Sequence, residues 1–391
     1  MVGLAGATTF VRFHAKIRPM ASFISRLSAS GYEMIFRALA RRRPPRPRPI
    51  ELGPRPRILC FTCAGIGDTL TDSVVFKALR ETFPGAHLAG VVHRRRHLLL
   101  EHNPCVDQVF LFHKGPRAFW ELRGELRAAG PWDAILHLRG NDPEPRCLSY
   151  LLDPDVTVSV PNMTRLSCLC GHQVEQPDWD ATHGVEQTLR IARYVGADTR
   201  EPHLVYAVRE EDRARLEEKL RRMVIGVRPR LVLQLGGGRR ASWRDWPVER
   251  YAQLLRLCCA DELIAEIFVL GGEDQQERLQ ELDRFFVNEV KPYHDLVGKL
   301  SLAESAALLA GARALVSTDT GIMHLGFAVG ARVVAIIHCN NPASRVGPYG
   351  YGHRHRVVQL PRPANYRTPA DASMADIPAQ SVFLKLKEIW S

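Results

Sequence analysis

From Arg57 onward, short continuous apolar runs alternate with stretches whose apolar residues recur every three or four positions. The first pattern predicts buried strands and the second predicts helices with one apolar face. Strands are expected at Arg57–Thr62, His87–Val92, Gln108–Phe112, Ala134–Leu138 and Val156–Val160, with helices over Thr69–Thr82, Phe119–Ala129 and Gly184–Val195. A second series then begins. Strands are expected at Leu231–Leu235, Ala265–Leu270, Ala314–Ser317 and Val333–Ile337. Helices are expected over Val248–Cys259, Gln275–Phe285, Leu302–Leu309, His324–Val329 and Ala379–Trp390, with Glu210–Met223 at the join. Strands that are apolar throughout and alternate with helices imply parallel sheets covered on both faces. The fold class is therefore α/β, with two Rossmann-like domains facing a central cleft.

Residues 1–56 break this pattern. Phe10, Phe13, Ile17, Met20, Ile24 and Leu27 have helical spacing, but Pro19 interrupts it, so a helix is expected from about Met20. The run from Arg41 to Pro49 then reads as a stiff, extended, basic linker. Residues 1–50 hold ten basic side chains against one acid, Glu33, which leaves 43 basic and 41 acidic side chains in the remainder. Nine of the eleven net positive charges thus belong to the N-terminal extension. A nearly neutral body gives no reason to expect a nucleic-acid partner. An amphipathic basic segment instead suggests peripheral contact with an anionic membrane face through residues 1–50. No stretch holds 18 consecutive apolar residues, so no membrane-spanning helix is predicted. Nine cysteines in 391 residues are too sparse for a disulfide scaffold and point to a reducing, cytoplasmic setting.

Ligands of open α/β sheets bind beyond the C-terminal ends of the strands, and four such loops carry suitable chemistry. Cys63-Ala64-Gly65-Ile66-Gly67-Asp68 follows the first strand. Its glycines permit close approach, and Asp68 stands at a helix start, where it serves either as a cap or as a base. The dinucleotide spacing Gly-x-Gly-x-x-Gly fails there, because Leu70 occupies the third position. Gly236-Gly237-Gly238-Arg239-Arg240, with Arg244 beyond it, is a candidate phosphate cradle. Gly271-Gly272-Glu273-Asp274 offers a carboxylate for ribose hydroxyls or for a helix start. Asp319-Thr320-Gly321 precedes a helix, with His324 one turn in, and suits a diphosphate.

Together these loops resemble glycosyltransferase family 9, the heptosyltransferases, over about residues 57–390. The resemblance rests on Ile58–Asp68, Trp246-Pro247-x-Glu249-x-Tyr251 and Leu270-Gly271-Gly272. It continues through Val297–Leu302, Asp319-Thr320-Gly321-x-x-His324 and Gly347-Pro348-Tyr349-Gly350. It implies a GT-B architecture. An acceptor domain would span residues 57–205 and a nucleotide-sugar domain residues 206–375, with a last helix over 376–391 crossing back to the first. The implied activity is an inverting, metal-independent transfer from a nucleotide-sugar such as ADP-heptose to an anionic glycan or glycolipid, with no cofactor.

By the same resemblance Asp68 is the general base. Arg244, Asp319, Thr320, Gly321 and His324 hold the sugar diphosphate, and Leu300 contacts adenine. Gly237, Gly238 and Glu273 are also assigned to the donor, with Glu277 a second candidate for the ribose. Gly67, Arg94 and Arg139 are assigned to the acceptor. Two other readings keep the fold: a silent nucleotide-sugar-binding scaffold, and a sugar-nucleotide epimerase.

Overall fold

The structure is a computed structural model that describes residues 31, 33–45, 47–140, 142–161, 166–223, 225, 229–237, 243–261 and 266–390. Two six-stranded sheets form the framework, and every strand pair in them is parallel. The first contains β1 (Arg57–Thr62), β2 (His87–His93), β3 (Gln108–Phe112), β4 (Ala134–Arg139), β5 (Val156–Ser159) and β6 (His172–Gln173). Its order is β3-β2-β1-β4-β5-β6. The second contains β7 (Arg230–Gln234), β8 (Glu266–Leu270), β9 (His294–Asp295), β10 (Ala314–Thr318), β11 (Val333–Ile337) and β12 (Arg356–Gln359). Its order, β12-β11-β10-β7-β8-β9, repeats the first winding. Each sheet reverses its strand order beside its first strand. The two crevices where ligands are expected therefore open between β1 and β4 and between β7 and β10.

The central strands lie where the apolar runs predict, because only a strand buried on both faces tolerates such continuous apolar character. The short edge strands β6, β9 and β12 are absent from the sequence reading, since two residues, or the mixed run Arg356–Gln359, carry no periodic signal. The helix Glu144–Leu152 is also unforeseen. Its Pro145 reads as a breaker in sequence but sits in the first turn, where proline is tolerated. Three helices begin three residues earlier than expected, at Ile66, Pro116 and Gly321.

Two expectations about the chain ends need correction. The last helix, Ala379–Trp390, does not clasp the first domain. It packs on β10, β11, β12 and the Val248–Ala260 helix, and Val382, Phe383, Leu386 and Ile389 are buried there. Arg313 and Arg332 donate to the carbonyls of Trp390 and Ile389, which ties the helix end to the second domain. The chain just before Pro56 is likewise not a free linker. Residues 33–42 are helical, and Phe36 is buried edge-on to Phe119 and Tyr150. Arg43 pairs with Asp153 at 2.5 Å, Arg48 pairs with Asp155, and Tyr150 donates to the Arg43 carbonyl at 2.9 Å. Residues 33–56 thus belong to the outer face of the first domain. The helix expected from Met20 begins outside the described residues.

The two halves meet closely. One cluster of buried apolar residues runs from Ile58, Leu70 and Leu136 in the first to Phe268, Leu315 and Val333 in the second. The Ile66–Thr82 helix packs against the Gly321–Ala328 helix across this boundary. The approach needs glycine. A β-carbon on Gly321 would lie 2.8 Å from Ile66 Cβ, and one on Gly67 would lie 2.6 Å from His324 Cδ2. A second contact lies beside it. His183 Nε2 donates to the Gly347 carbonyl at 3.1 Å, its ring packs 4.6 Å from Tyr349, and the Tyr349 hydroxyl donates to Glu186. Burial, with neighbouring charges, pulls the His183 ring down to about 4, so it stays neutral with its Nδ1 free to accept from Val185 N–H at 3.1 Å.

Gly321→Ala is expected to destabilise the folded chain by about 1–3 kcal/mol through overpacking against the stiff Ile66. Urea unfolding of the variant beside wild type checks this, and an unchanged midpoint would mean that the seam yields freely.

Candidate active site

At the first crevice, β1 leads through Cys63-Ala64-Gly65 into the Ile66–Thr82 helix, and Asp68 occupies that helix's first turn. Its Oδ2 accepts the Gly65 N–H at 3.3 Å, so Asp68 closes the helix end as a cap does. Its side chain is nonetheless half exposed, and Oδ1 faces Arg139 Nη1 at 3.4 Å. Arg139 ends β4, next to Thr62 in the register. The same guanidinium donates Nε to Asp72 at 3.2 Å and Nη2 to the Gly184 carbonyl at 2.5 Å. Asp72 is fully buried and accepts the Thr62 hydroxyl at 2.6 Å. Arg139 therefore stands beside Asp68, locked between two carboxylates. Arg94 is exposed on a short 3-10 turn, and it is Arg96 that reaches the loop, donating to the Ala64 carbonyl.

At the second crevice, Gln234 ends β7 and is buried. Its Oε1 accepts from Gly236 N–H at 3.1 Å, from the Ser317 hydroxyl at 3.2 Å and from the Thr320 hydroxyl at 3.3 Å. Its amide also donates to the Gly236 carbonyl. Thr320 is the residue before the Gly321–Ala328 helix, yet its hydroxyl makes no capping bond and turns to Gln234 instead. Gly236 has a φ of 122°, and a side chain there would strike Asp245. Gly237 donates its N–H to Asp245 at 2.8 Å, so this proposed phosphate donor already has an acceptor. Gly238, Arg239 and Arg240 lie outside the described residues.

Asp319 gathers the remaining polar groups. It accepts Asn341 Nδ2 at 2.8 Å and Arg244 Nη1 at 3.2 Å, and His324 Nε2 lies 3.7 Å away. Burial works to raise its carboxyl. Hydrogen bonding and charge from His324, the Arg244 charge and the Asn341 bond outweigh that, holding it below the ordinary range. Arg244 also lies 5.3 Å over the Trp243 ring. Glu273 is exposed at the first residue of a short 3-10 turn and sits against Gly298, which has a φ of 72°. This brings the loop after β8 beside the segment that carries the half-buried Leu300. Glu277 is exposed on the Gln276–Arg284 helix.

The Gly67–His324 contact joins the two crevices. Asp68 follows Gly67 in the chain and His324 reaches Asp319, so the two carboxylates flank one seam. Gln234, Asp72, Asp245 and Asn341 are residues that sequence reasoning missed. The only signal for the first two was a polar residue at the end of an apolar strand and an acid one helical turn after Asp68. Cys60 and Cys63 are buried, and burial pushes both thiols up, which removes them as reactive groups. Among the described residues no group of three or more His, Cys, Asp or Glu is arranged to hold a metal ion, and no helix is long and apolar enough to cross a membrane.

Two parallel sheets of identical winding, with their crevices meeting at one seam, define the GT-B fold. Residues 132–371 match the family model for glycosyltransferase family 9 (heptosyltransferase), and the chain belongs to that family. It is 33% identical over 125 residues to lipopolysaccharide heptosyltransferase 1 of Escherichia coli strain K12. That match spans 31% of this chain and about a third, 36%, of that protein. The fold is shared more widely. A family 9 glycosyltransferase from Veillonella parvula superposes with a TM-score of 0.73 at 19% identity, over 87% of this chain and 98% of that one. The E. coli ADP-heptose lps heptosyltransferase II gives 0.70 at 19% identity, over 85% and 98%.

Gln234→Leu keeps the volume but removes the hub that joins Gly236, Ser317 and Thr320. The expected cost is about 1–3 kcal/mol for polar groups left without partners, read as a lower urea midpoint. Wild-type stability in this variant would mean that water replaces the amide.

Proposed function

We propose that this chain is an inverting glycosyltransferase that moves a heptose from ADP-heptose to an anionic glycan of the cell envelope, such as lipopolysaccharide core. The observation that carries the reading is the pairing of Asp68 and Asp319 across the Gly67–His324 contact. It puts a half-exposed carboxylate and a cation-bearing helix start on either side of one seam. Family membership and the ADP-heptose named for the E. coli structure support the donor.

In this reading Asp68 takes the proton of the acceptor hydroxyl as that oxygen attacks the anomeric carbon. The bond from that carbon to the diphosphate breaks on the opposite face, so the configuration inverts. Arg139 and Arg94 receive acid groups of the acceptor. Charge developing on the leaving ADP falls to Arg244 and to the N-terminus of the Gly321–Ala328 helix, whose free N–H groups suit phosphate oxygens. Asp319 holds Arg244 and His324 in place for this, while Gly321 keeps the helix start open to close approach. Leu300 and Glu273 flank the nucleoside. Fixed cations in these positions support a metal-independent transfer.

The chain is read as working at the cytoplasmic face of the inner membrane. A helix over residues 33–42 leaves Met34, Ile35 and Leu39 exposed at 72%, 55% and 38%, followed by Arg41 and Arg42, which favours a peripheral contact with anionic lipid. Replacing Met34 and Ile35 by serine is expected to weaken sedimentation with anionic vesicles while sparing transfer to a soluble acceptor. Point changes are the better probe, because deleting residues 1–50 would also remove the buried Phe36.

Calorimetric titration with ADP-heptose, UDP-sugars and GDP-sugars tests the donor, and selective ADP-heptose binding is expected. Binding of another nucleotide-sugar overturns the heptose assignment, and binding of none overturns the donor site itself; binding without transfer marks a silent scaffold. Release of free sugar or an epimer without acceptor marks an epimerase. Asp68→Ala is expected to lower transfer by roughly 10²–10⁴-fold with donor affinity retained, and Asp319→Ala to weaken donor binding. Transfer should persist in chelator.

A further inference from the structure

We propose that Asp72 is a positioning residue for the proton acceptor Asp68, acting through the Arg139 guanidinium that the two carboxylates share. This rests on the reading of Asp68 as the base and names a second residue that governs it. Arg139 Nε meets Asp72 at 3.2 Å and its Nη1 meets Asp68 at 3.4 Å, while its Nη2 is fixed on the Gly184 carbonyl at 2.5 Å. Three anchors on two helices leave the guanidinium one orientation. Asp72 stands one helical turn after Asp68, fully buried, and a buried carboxylate on a helix is costly unless partners hold it.

The arrangement has an electrostatic consequence. A lone arginine against Asp68 would keep that carboxylate ionised but make it a poor proton acceptor. An ionised Asp72 takes part of the same positive field, which leaves less of it on Asp68. A protonated Asp72 gives the whole field back. Burial pushes the Asp72 carboxyl up to about 7, against the Arg139 charge and the Thr62 hydrogen bond. The exchange therefore falls in the neutral range.

The groups facing this pair are Arg139 from β4, the Thr62 hydroxyl and the Cys60 thiol from β1, and the Cys63 thiol just beyond it. His183, at the start of the Gly184–Tyr194 helix, feels the Arg139 charge, and burial, its largest influence, keeps it neutral. His324, from the second domain, lies against Gly67. Both thiols are held protonated by burial, and burial brings the Asp72 carboxyl into the neutral range.

The test is the pH profile of kcat, with donor and acceptor saturating, for wild type, Asp72→Asn, Thr62→Val and Asp68→Asn. Wild-type kcat is expected to rise across neutral pH. Asp72→Asn keeps the shape of the side chain but not the charge. It is expected to lower kcat at alkaline pH by about 10- to 100-fold, to leave the donor KM unchanged and to abolish the rise. Thr62→Val removes a hydrogen bond to the Asp72 anion, so the rise is expected to move to higher pH with its plateau intact, an effect that a purely structural role would not produce. If Asp72→Asn fails to fold, the Thr62→Val shift decides. Inactive Asp68→Asn beside Asp72→Asn with a wild-type profile overturns this proposal and leaves the base assignment standing. Active Asp68→Asn overturns both.

Discussion

The distance between the two halves is set by two glycines facing two side chains, Gly321 against Ile66 and Gly67 against His324. Any larger residue would hold the Ile66–Thr82 and Gly321–Ala328 helices apart, and the buried cluster shared by both halves would open. The same closeness creates the site. Asp68 and Asp319 belong to loops more than two hundred residues apart in sequence, and they flank one seam because those helices meet at their starts. The glycines thus set both the packing of the seam and the placing of the two carboxylates beside it.

A second device recurs in the buried polar groups. Asp72 holds Arg139, Asp319 holds Arg244, and Asp245 lies 3.9 Å from Arg278 and accepts the Gly237 N–H. Each aspartate is buried, and each arginine either reaches toward a crevice or ties its loop to a carbonyl, as Arg278 does with Leu235 at 2.6 Å. Such pairs add little net stability, because desolvating two charges offsets most of their attraction. What they fix is direction: a guanidinium gripped from behind presents its remaining N–H groups to one place.

Most of the framework was legible in the sequence, for a physical reason. Strands such as Val333–Ile337, buried on both faces, must be apolar throughout, and helices such as Ala379–Trp390 must carry an apolar stripe. Their ends were less legible, because helix starts at Gly65 and Thr320 depend on backbone geometry that no periodic pattern encodes. The individual site loops were visible from their glycines and acids. Their mutual arrangement was not, because Arg139 bonding to Asp72 or Gln234 reaching Thr320 reflects tertiary contact alone. Placement of the last helix failed for a related reason: the stripe of Val382, Leu386 and Ile389 states that a partner exists but not which sheet supplies it.

That placement bears on how the halves are joined. With the last helix completing the second domain, the described chain passes between domains once, after Val205 and Ala207 have paired with Ser73 and His102 and before the Glu210–Arg222 helix packs on Leu302–Gly311. A single tether acts as a pivot, whereas two would act as a hinge pin with a fixed axis. Rotation about it is opposed by noncovalent contacts: the buried apolar cluster shared by both halves, the glycine seam, the His183–Gly347 bond and the Tyr349–Glu186 bond. Alignment of Asp68 with Asp319 is then a property of those noncovalent contacts, and the chain's connectivity leaves it free to be tuned.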